Sequence, residues 1–130
     1  MQLTLTPIGT VRTQAVKLPR HCRISDVEGI LEIDPHYIKG LADIQAGERI
    51  VVLFCFHQSP AFTPDLLMQT PPHQSRPFGI FSTCSPRRPN PIGMSVLEVL
   101  DVQDNRIHVK GLDMMNGTPI LDIKPYMELS

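Results

Sequence analysis

Apolar and polar positions alternate in short runs along this chain, and Pro, Gly, Asn or Asp bounds most of the runs. Residues 3–11 alternate in part, through Leu3, Leu5, Ile8 and Val11 around Pro7. That pattern predicts a half-buried edge strand that tolerates a proline. Residues 13–25 show no period and read as a loop. Ile30, Leu31 and Ile33 predict a short strand that stops at Asp34-Pro35, where the Asp can cap a short helix and the Pro can take its first position. The helix runs through Tyr37, Ile38 and Leu41. Residues 49–56, RIVVLFCF, are dense in β-branched and aromatic residues and too few for a helix, so they predict a central strand.

Residues 60–77 hold five prolines and little periodicity, which predicts a long irregular arm. Strand patterns resume at residues 79–84, 94–102 and 106–112, the last two joined by a turn at Gln103-Asp104-Asn105. Asn116-Gly117 is a hairpin signal because both residues tolerate positive φ, and residues 118–123 follow as a final strand. About six or seven short strands with tight turns and one short helix imply a mainly β architecture, barrel or sandwich. A single domain over residues 1–130 accommodates it.

Between the strands at 79–84 and 94–102 lies Ser85-Pro86-Arg87-Arg88-Pro89-Asn90-Pro91. Three prolines fix φ and disfavour helix before them, so this segment is a stiff loop. A surface turn rich in turn-formers is one reading. The other is a pre-ordered loop that presents two arginines and an Asn to a ligand and loses little entropy on binding.

Composition narrows the function classes. At 130 residues, 42% hydrophobic and 19% charged, the chain can bury a real core. Cys22, Cys55 and Cys84 are three, far apart and without a C-x-x-C, which fits a reducing cytoplasm. The N-terminus has no secretory pattern, and no apolar stretch reaches membrane-spanning length, so a soluble protein is expected. The formal net charge is -1, but residues 1–25 contain Arg12, Lys17, Arg20 and Arg23 with no acid, and residues 66–97 contain Arg76, Arg87 and Arg88 with none. Brought together, these stretches would form a positive face for an anionic partner.

Several residues could carry chemistry. His57 closes the apolar strand with Cys55 on the same face, but no second pair has zinc-like spacing, so no metal site is expected. Phe56 and His57 at a pocket mouth would offer an aromatic face and a hydrogen-bonding ring, whereas a strand-end histidine reaching water is the plainer alternative. Asp113 and Asp122 sit on the two arms of the expected hairpin in apolar surroundings, where a carboxylate needs a partner. Lys124 or an arginine could be that partner, or Asp113 could accept hydrogen bonds from a ligand amine or hydroxyl. Cys84 is either a nucleophile or, with no base in view, a buried or pocket-lining thiol. No G-x-G-x-x-G follows a strand, so a Rossmann cofactor site is not indicated.

Three stretches taken together resemble one family: FCFHQS at 54–59, GIFSTCSPRRPNPIGMS at 79–95 and GLDMMNGTPILDIKPY at 111–126, with PIGTVRT at 7–13. They are similar to the TsaA-like, TrmO-type family of S-adenosylmethionine-dependent tRNA methyltransferases. The resemblance implies a β-barrel, a homodimer, and methylation of the exocyclic amine of a threonylcarbamoyl-modified adenosine beside the tRNA anticodon. It implies cofactor contacts at Phe56, His57, Cys84, Met94, Leu112 and Asp113, with Asp113 or His57 accepting the proton. Arg88, Asn90, Gly117 and Thr118 would shape the pocket or the substrate path. Arg20, Arg23, Arg76 and Arg87 would meet phosphates of the anticodon loop, an exposed single-stranded target. Against the family pattern, Thr83-Cys84-Ser85 replaces Thr-Arg-Ser and His21-Cys22-Arg23 replaces a Gln-Pro-Gly-like turn. Longer bacterial members extend beyond the segment matching Lys124-Pro125-Tyr126, so the chain reads as a short form.

Overall fold

The computed structural model describes residues 1–19 and 21–127. Among these residues the strands are β1 (Gly9–Arg12), β2 (Glu28–Ile33), β3 (Arg49–Cys55), β4 (Met68–Gln69), β5 (Phe78–Gly79), β6 (Ile92–Gln103), β7 (Arg106–Lys110) and β8 (Pro119–Pro125). Six close into an antiparallel barrel in the order β1-β2-β7-β6-β3-β8, while β4 and β5 form a separate two-stranded sheet. The mainly β barrel expected from the sequence is the fold. No helix among the described residues is long and apolar enough to cross a membrane.

Alternation decides which side chains fill the barrel. Leu31 and Ile33 of β2, Ile50, Val52 and Phe54 of β3, Leu97 and Val99 of β6, and Ile107 and Val109 of β7 all point inward and are buried. Burying one such side chain is worth about 1.5–3 kcal/mol, so a slip of one residue would expose a whole inner row. Register shifts leave Leu121 of β8 unpaired against Leu53/Phe54 and Leu100 of β6 unpaired between Val99 and Asp101, and such bulges bend β8 and β6 as the barrel curves.

The two ends of the barrel are built differently. At one end Asp34 accepts a hydrogen bond from the His36 N–H at 3.0 Å and starts the 3-10 helix Pro35–Leu41, the short helix expected there. The Asn105 side-chain amide donates to the Ile33 carbonyl at 2.6 Å beneath it. The other end gathers the last residues of β1, β3 and β7 and the first residues of β2, β6 and β8.

Four expectations are corrected. Leu3 and Leu5 are exposed and β1 starts only at Gly9, because Pro7 offers no N–H and pairing begins with the Ile8 N–H on the Ile120 carbonyl at 2.8 Å. The strand expected over 79–84 shrinks to β5. Beyond it, Ile80–Ser82 turns as a 3-10 helix that buries Ile80 and exposes Phe81. The arm at 60–77 is not wholly irregular, since the 3-10 helix Pro64–Leu67 and strand β4 lie within it.

The last correction concerns Asn116-Gly117. Gly117 does take φ 88, yet β7 and β8 are not paired with each other. The cause lies upstream: Gly111, at φ 101, turns the chain out of β7, and the Gly111 and Leu112 N–H groups both donate to the Val27 carbonyl at 2.9 and 3.0 Å. Residues 111–118 are thereby drawn across the barrel end, where Leu112 and Met114 are buried as a plug. Asp113 and Asp122 therefore do not share a hairpin. Asp122 takes Lys124 as its partner at 2.9 Å, the structural option raised for it.

Candidate functional site

A cleft of about 420 Å³ opens at the end crossed by residues 111–118, a size within the range of small-molecule sites. Its walls come from the end of β3 and the turn after it (Phe54, Phe56, His57), the crossing segment (Asp113, Met115) and the stiff loop (Arg87). The β3–β6 ladder continues one step past Cys55, because the Phe56 N–H donates to the Pro91 carbonyl at 2.7 Å. The His57 N–H then bonds back to the Cys55 carbonyl at 2.9 Å, and the chain turns away with the exposed His57 on the rim.

Gly93 makes the aromatic wall possible. A Cβ at that position would lie 2.3 Å from the Phe54 ring and 2.8 Å from the Phe56 ring. With no side chain there, the two rings pack edge to face at 5.0 Å between centroids, and Phe56 reaches the cleft.

Asp113 is the carboxylate of the cleft. The Ser95 hydroxyl, on an inward position of β6, donates to its Oδ1 at 2.6 Å. Burial pushes the Asp113 carboxyl above its ordinary value. The Ser95 hydroxyl, its own N–H, the nearby His21 and the Cys22 N–H pull the other way. Its backbone is held in turn, since the Ser25 hydroxyl donates to the Leu112 carbonyl at 2.5 Å. An acceptor fixed this way suits a ligand amine or hydroxyl.

The stiff loop is braced internally. Arg88 Nη1 donates to the Thr83 and Ser85 carbonyls at 3.0 and 3.2 Å, so this arginine is used in part to hold the loop. The Gln69 amide donates to the Leu66 and Arg87 carbonyls at 2.7 and 2.9 Å, and the Ser59 hydroxyl to the Pro86 carbonyl at 3.2 Å. These bonds tie the loop to the proline-rich arm and to the rim of the cleft.

Of the residues singled out in the sequence, the cleft brings together Phe56, His57, Asp113, Thr118 and Arg87. Leu112 is buried in the plug beside it, and Gly117 forms the turn before Thr118. Met94 is exposed on the outer face of β6, and Cys84 and Asn90 are exposed along the segment that includes the stiff loop. Arg23 is exposed in the 3-10 turn Cys22–Ile24, and the Arg76 guanidinium stacks 3.8 Å from the Phe78 ring centre. Arg20 lies outside the described residues. No group of three or more His, Cys, Asp or Glu among the described residues could hold a metal ion.

Sequence reasoning missed Ser95, Gly93 and His21. The first two carried a signal, since a small or polar residue interrupts the inward row Gly93, Ser95, Leu97, Val99. His21 stood out only within His21-Cys22-Arg23 as a departure from the family pattern, because only the fold brings its segment to Asp113.

The fold is a six-stranded antiparallel barrel with an aromatic and acidic cleft of small-molecule size at one mouth. Residues 8–130 match the tRNA-methyltransferase O N-terminal domain, and the chain belongs to that family. It is 40% identical over 129 residues to a probable S-adenosyl-L-methionine-binding protein of Archaeoglobus fulgidus, covering 97% of this chain and 34% of that protein. A second protein of that organism, an S-adenosyl-L-methionine-binding protein, is 38% identical over 127 residues, covering 95% and 89%. A rat tRNA (adenine(37)-N6)-methyltransferase is 32% identical over 120 residues, 92% of this chain and 27% of that protein. The crystal structure of TrmO from Pseudomonas aeruginosa superposes with a TM-score of 0.77 at 29% identity, covering 98% of this chain and 57% of that one. The chain thus spans about a third of the first relative and little more than half of the solved structure.

Proposed function

We propose that this chain binds S-adenosylmethionine in the barrel-mouth cleft and methylates the exocyclic amine of the threonylcarbamoyl-modified adenosine beside the tRNA anticodon. The observation that carries this reading is one cleft holding Phe56, His57, Arg87 and the braced Asp113 in a chain of this family. The rat relative's activity supports the acceptor.

The donor set fits the cofactor. Aromatic and methionine side chains offer apolar walls for a flat base, Asp113 an acceptor for its hydroxyls or amine, and Arg87 a cation for its carboxylate. When bound, the cofactor would supply a methyl group on a sulfonium: the amine nitrogen would attack that methyl carbon in line, and the carbon–sulfur bond would break to release the neutral thioether. Phe56 attracts the positive charge by its ring, and the stiff loop and Asp113 hold the partners in place, which supplies much of the acceleration. Asp113 or His57 takes the amine proton, which becomes more acidic as the nitrogen gains its methyl.

Arg87, Arg23 and Arg76 are the phosphate contacts of the described residues in this reading. A homodimer belongs to the same proposal: Ile92 and Met94 on the outer face of β6 stand beside Cys55 and Leu53 of β3, an apolar strip for a second copy to cover. The setting is cytoplasmic, where tRNA is found.

Calorimetric titration with S-adenosylmethionine and with its demethylated product tests the site, and transfer of labelled methyl to tRNA tests the activity. Saturable binding with transfer is expected, and binding of neither compound to folded protein overturns the reading. A second reading, a non-catalytic module for the same compound, is favoured by the relative whose name claims binding alone. Binding without transfer to any tRNA, other RNA or small-molecule acceptor would select it. Transfer to one of those other acceptors would move the activity away from tRNA.

A further inference from the structure

Ser95 and Thr118 are the buried polar residues of the described chain. Thr118 spends its hydroxyl on the Met115 carbonyl at 2.7 Å, within its own turn. Ser95 behaves otherwise. It lies opposite Val52 in the β3–β6 ladder, 1% exposed, in a row with Leu97 and Val99, and reaches across the barrel end to Asp113, 18 residues away. A hydroxyl among aliphatic side chains is unfavourable unless paired, and an apolar residue would fill the row as well. What the hydroxyl adds is a fixed donor to one oxygen of a carboxylate on the cleft wall.

We infer that Ser95 is a positioning residue: its hydroxyl locks one oxygen of Asp113 and keeps the carboxylate oriented, so that the cleft offers a ready acceptor to the N–H or O–H groups of the bound nucleoside. This rests on the reading that Asp113 faces the cofactor. Asp113's own N–H favours its ionised form together with Ser95, and other groups face it from the elements packed around it. The Cys22 N–H and His21 approach from the segment before β2, while His57 and Arg87 share the cleft from β3's end and the stiff loop. Ser95 is the neutral member that approaches from within the barrel. Removing its hydroxyl withdraws a bond that favours the ionised form, so the Asp113 carboxyl should titrate at higher pH.

The test is calorimetric affinity for S-adenosylmethionine from pH 7 down to about 3.5, below the ordinary Asp value, on the full chain and its variants. Wild-type affinity should fall on acidification as Asp113 takes up a proton. Ser95→Ala should weaken binding about tenfold at neutral pH, the size of one hydrogen bond to an ionised group, and move the midpoint of the fall upward. Ser95→Cys, of similar shape with a weaker donor, should fall between the two, which keeps the test alive if the alanine variant does not fold. In the Asp113→Asn background Ser95→Ala should add no further change in pH dependence. A folded Ser95→Ala whose midpoint stays put overturns the inference and leaves the site reading intact. Unchanged affinity in Asp113→Asn overturns the site reading and this inference with it.

Discussion

The two ends of the barrel each carry a carboxylate, and the surroundings push the two in opposite directions. Asp34, at the end where Asn105 bonds to Ile33, is solvated and accepts hydrogen bonds from the His36 N–H and ring, which hold its carboxyl below its ordinary value. Asp113, at the cleft end, is pushed up by burial against the pull of Ser95. One acid stabilises the fold by starting a helix. The other is buried where its charged form is disfavoured, and such a placement is characteristic of groups set for a ligand.

The largest expected break in this comparison is Gly93→Ala. Its Cβ would overlap both phenylalanine rings, so we expect a loss of about 1–3 kcal/mol in denaturant unfolding. Cofactor affinity should collapse with it as Phe56 is displaced, while the Asp34 end stays as it is. Asn105→Ala should break the opposite end, costing about 1 kcal/mol for the lost bond to Ile33 with cofactor affinity unchanged. A fall in affinity there would mean that the two ends are coupled.

The smallest effect is a difference of sign. Because the folded state lowers the Asp34 carboxyl, its contribution is present above the ordinary carboxylate pKa and is lost as pH falls through the folded value. Asp34→Asn should therefore lower the melting temperature at neutral pH, and the gap should close in acid. The folded state raises Asp113, so ionised Asp113 is a penalty at neutral pH that acidification relieves. Asp113→Asn should raise the melting temperature at neutral pH by a few degrees at most, and that gap should also close in acid. Melting curves from pH 7 to about 3.5, below the ordinary Asp value, would show two differences of opposite sign converging.

Local pattern made the barrel strands legible. The β-branched and aromatic run at 49–56 and the strand pattern at 94–102 matched β3 and β6, each of which has one buried face. It failed at residues 79–84, where the chain turns as the 3-10 helix Ile80–Ser82, with Ile80 buried and Phe81 exposed. The crossing at 111–118 was misread as a hairpin because an Asn-Gly turn says how the chain bends locally and nothing about where the next strand pairs. The cleft was half legible. Phe56, His57 and Asp113 carried motifs, whereas Ser95 and His21 matter only through contacts that closure of the barrel creates.

Closure itself rests on the short seam between β1 and β8, whose paired residues are Gly9 with Ile120 and Thr10 with Pro119. Pro119 contributes no N–H to that ladder, and the Val11 N–H instead reaches the Thr118 carbonyl at 2.9 Å. The seam joins segments more than a hundred residues apart, so its entropy of closure is among the largest in the molecule and little is gained until the other strands are in place. The seam is therefore the last part of the cylinder to form and the first to breathe. Amide exchange at Ile8 and Val11 should run ahead of that at Val52 in β3, which is flanked on both sides. Thr118 belongs to both the seam and the cleft wall, so the kinetics of ring closure and the readiness of the binding site are set in the same place.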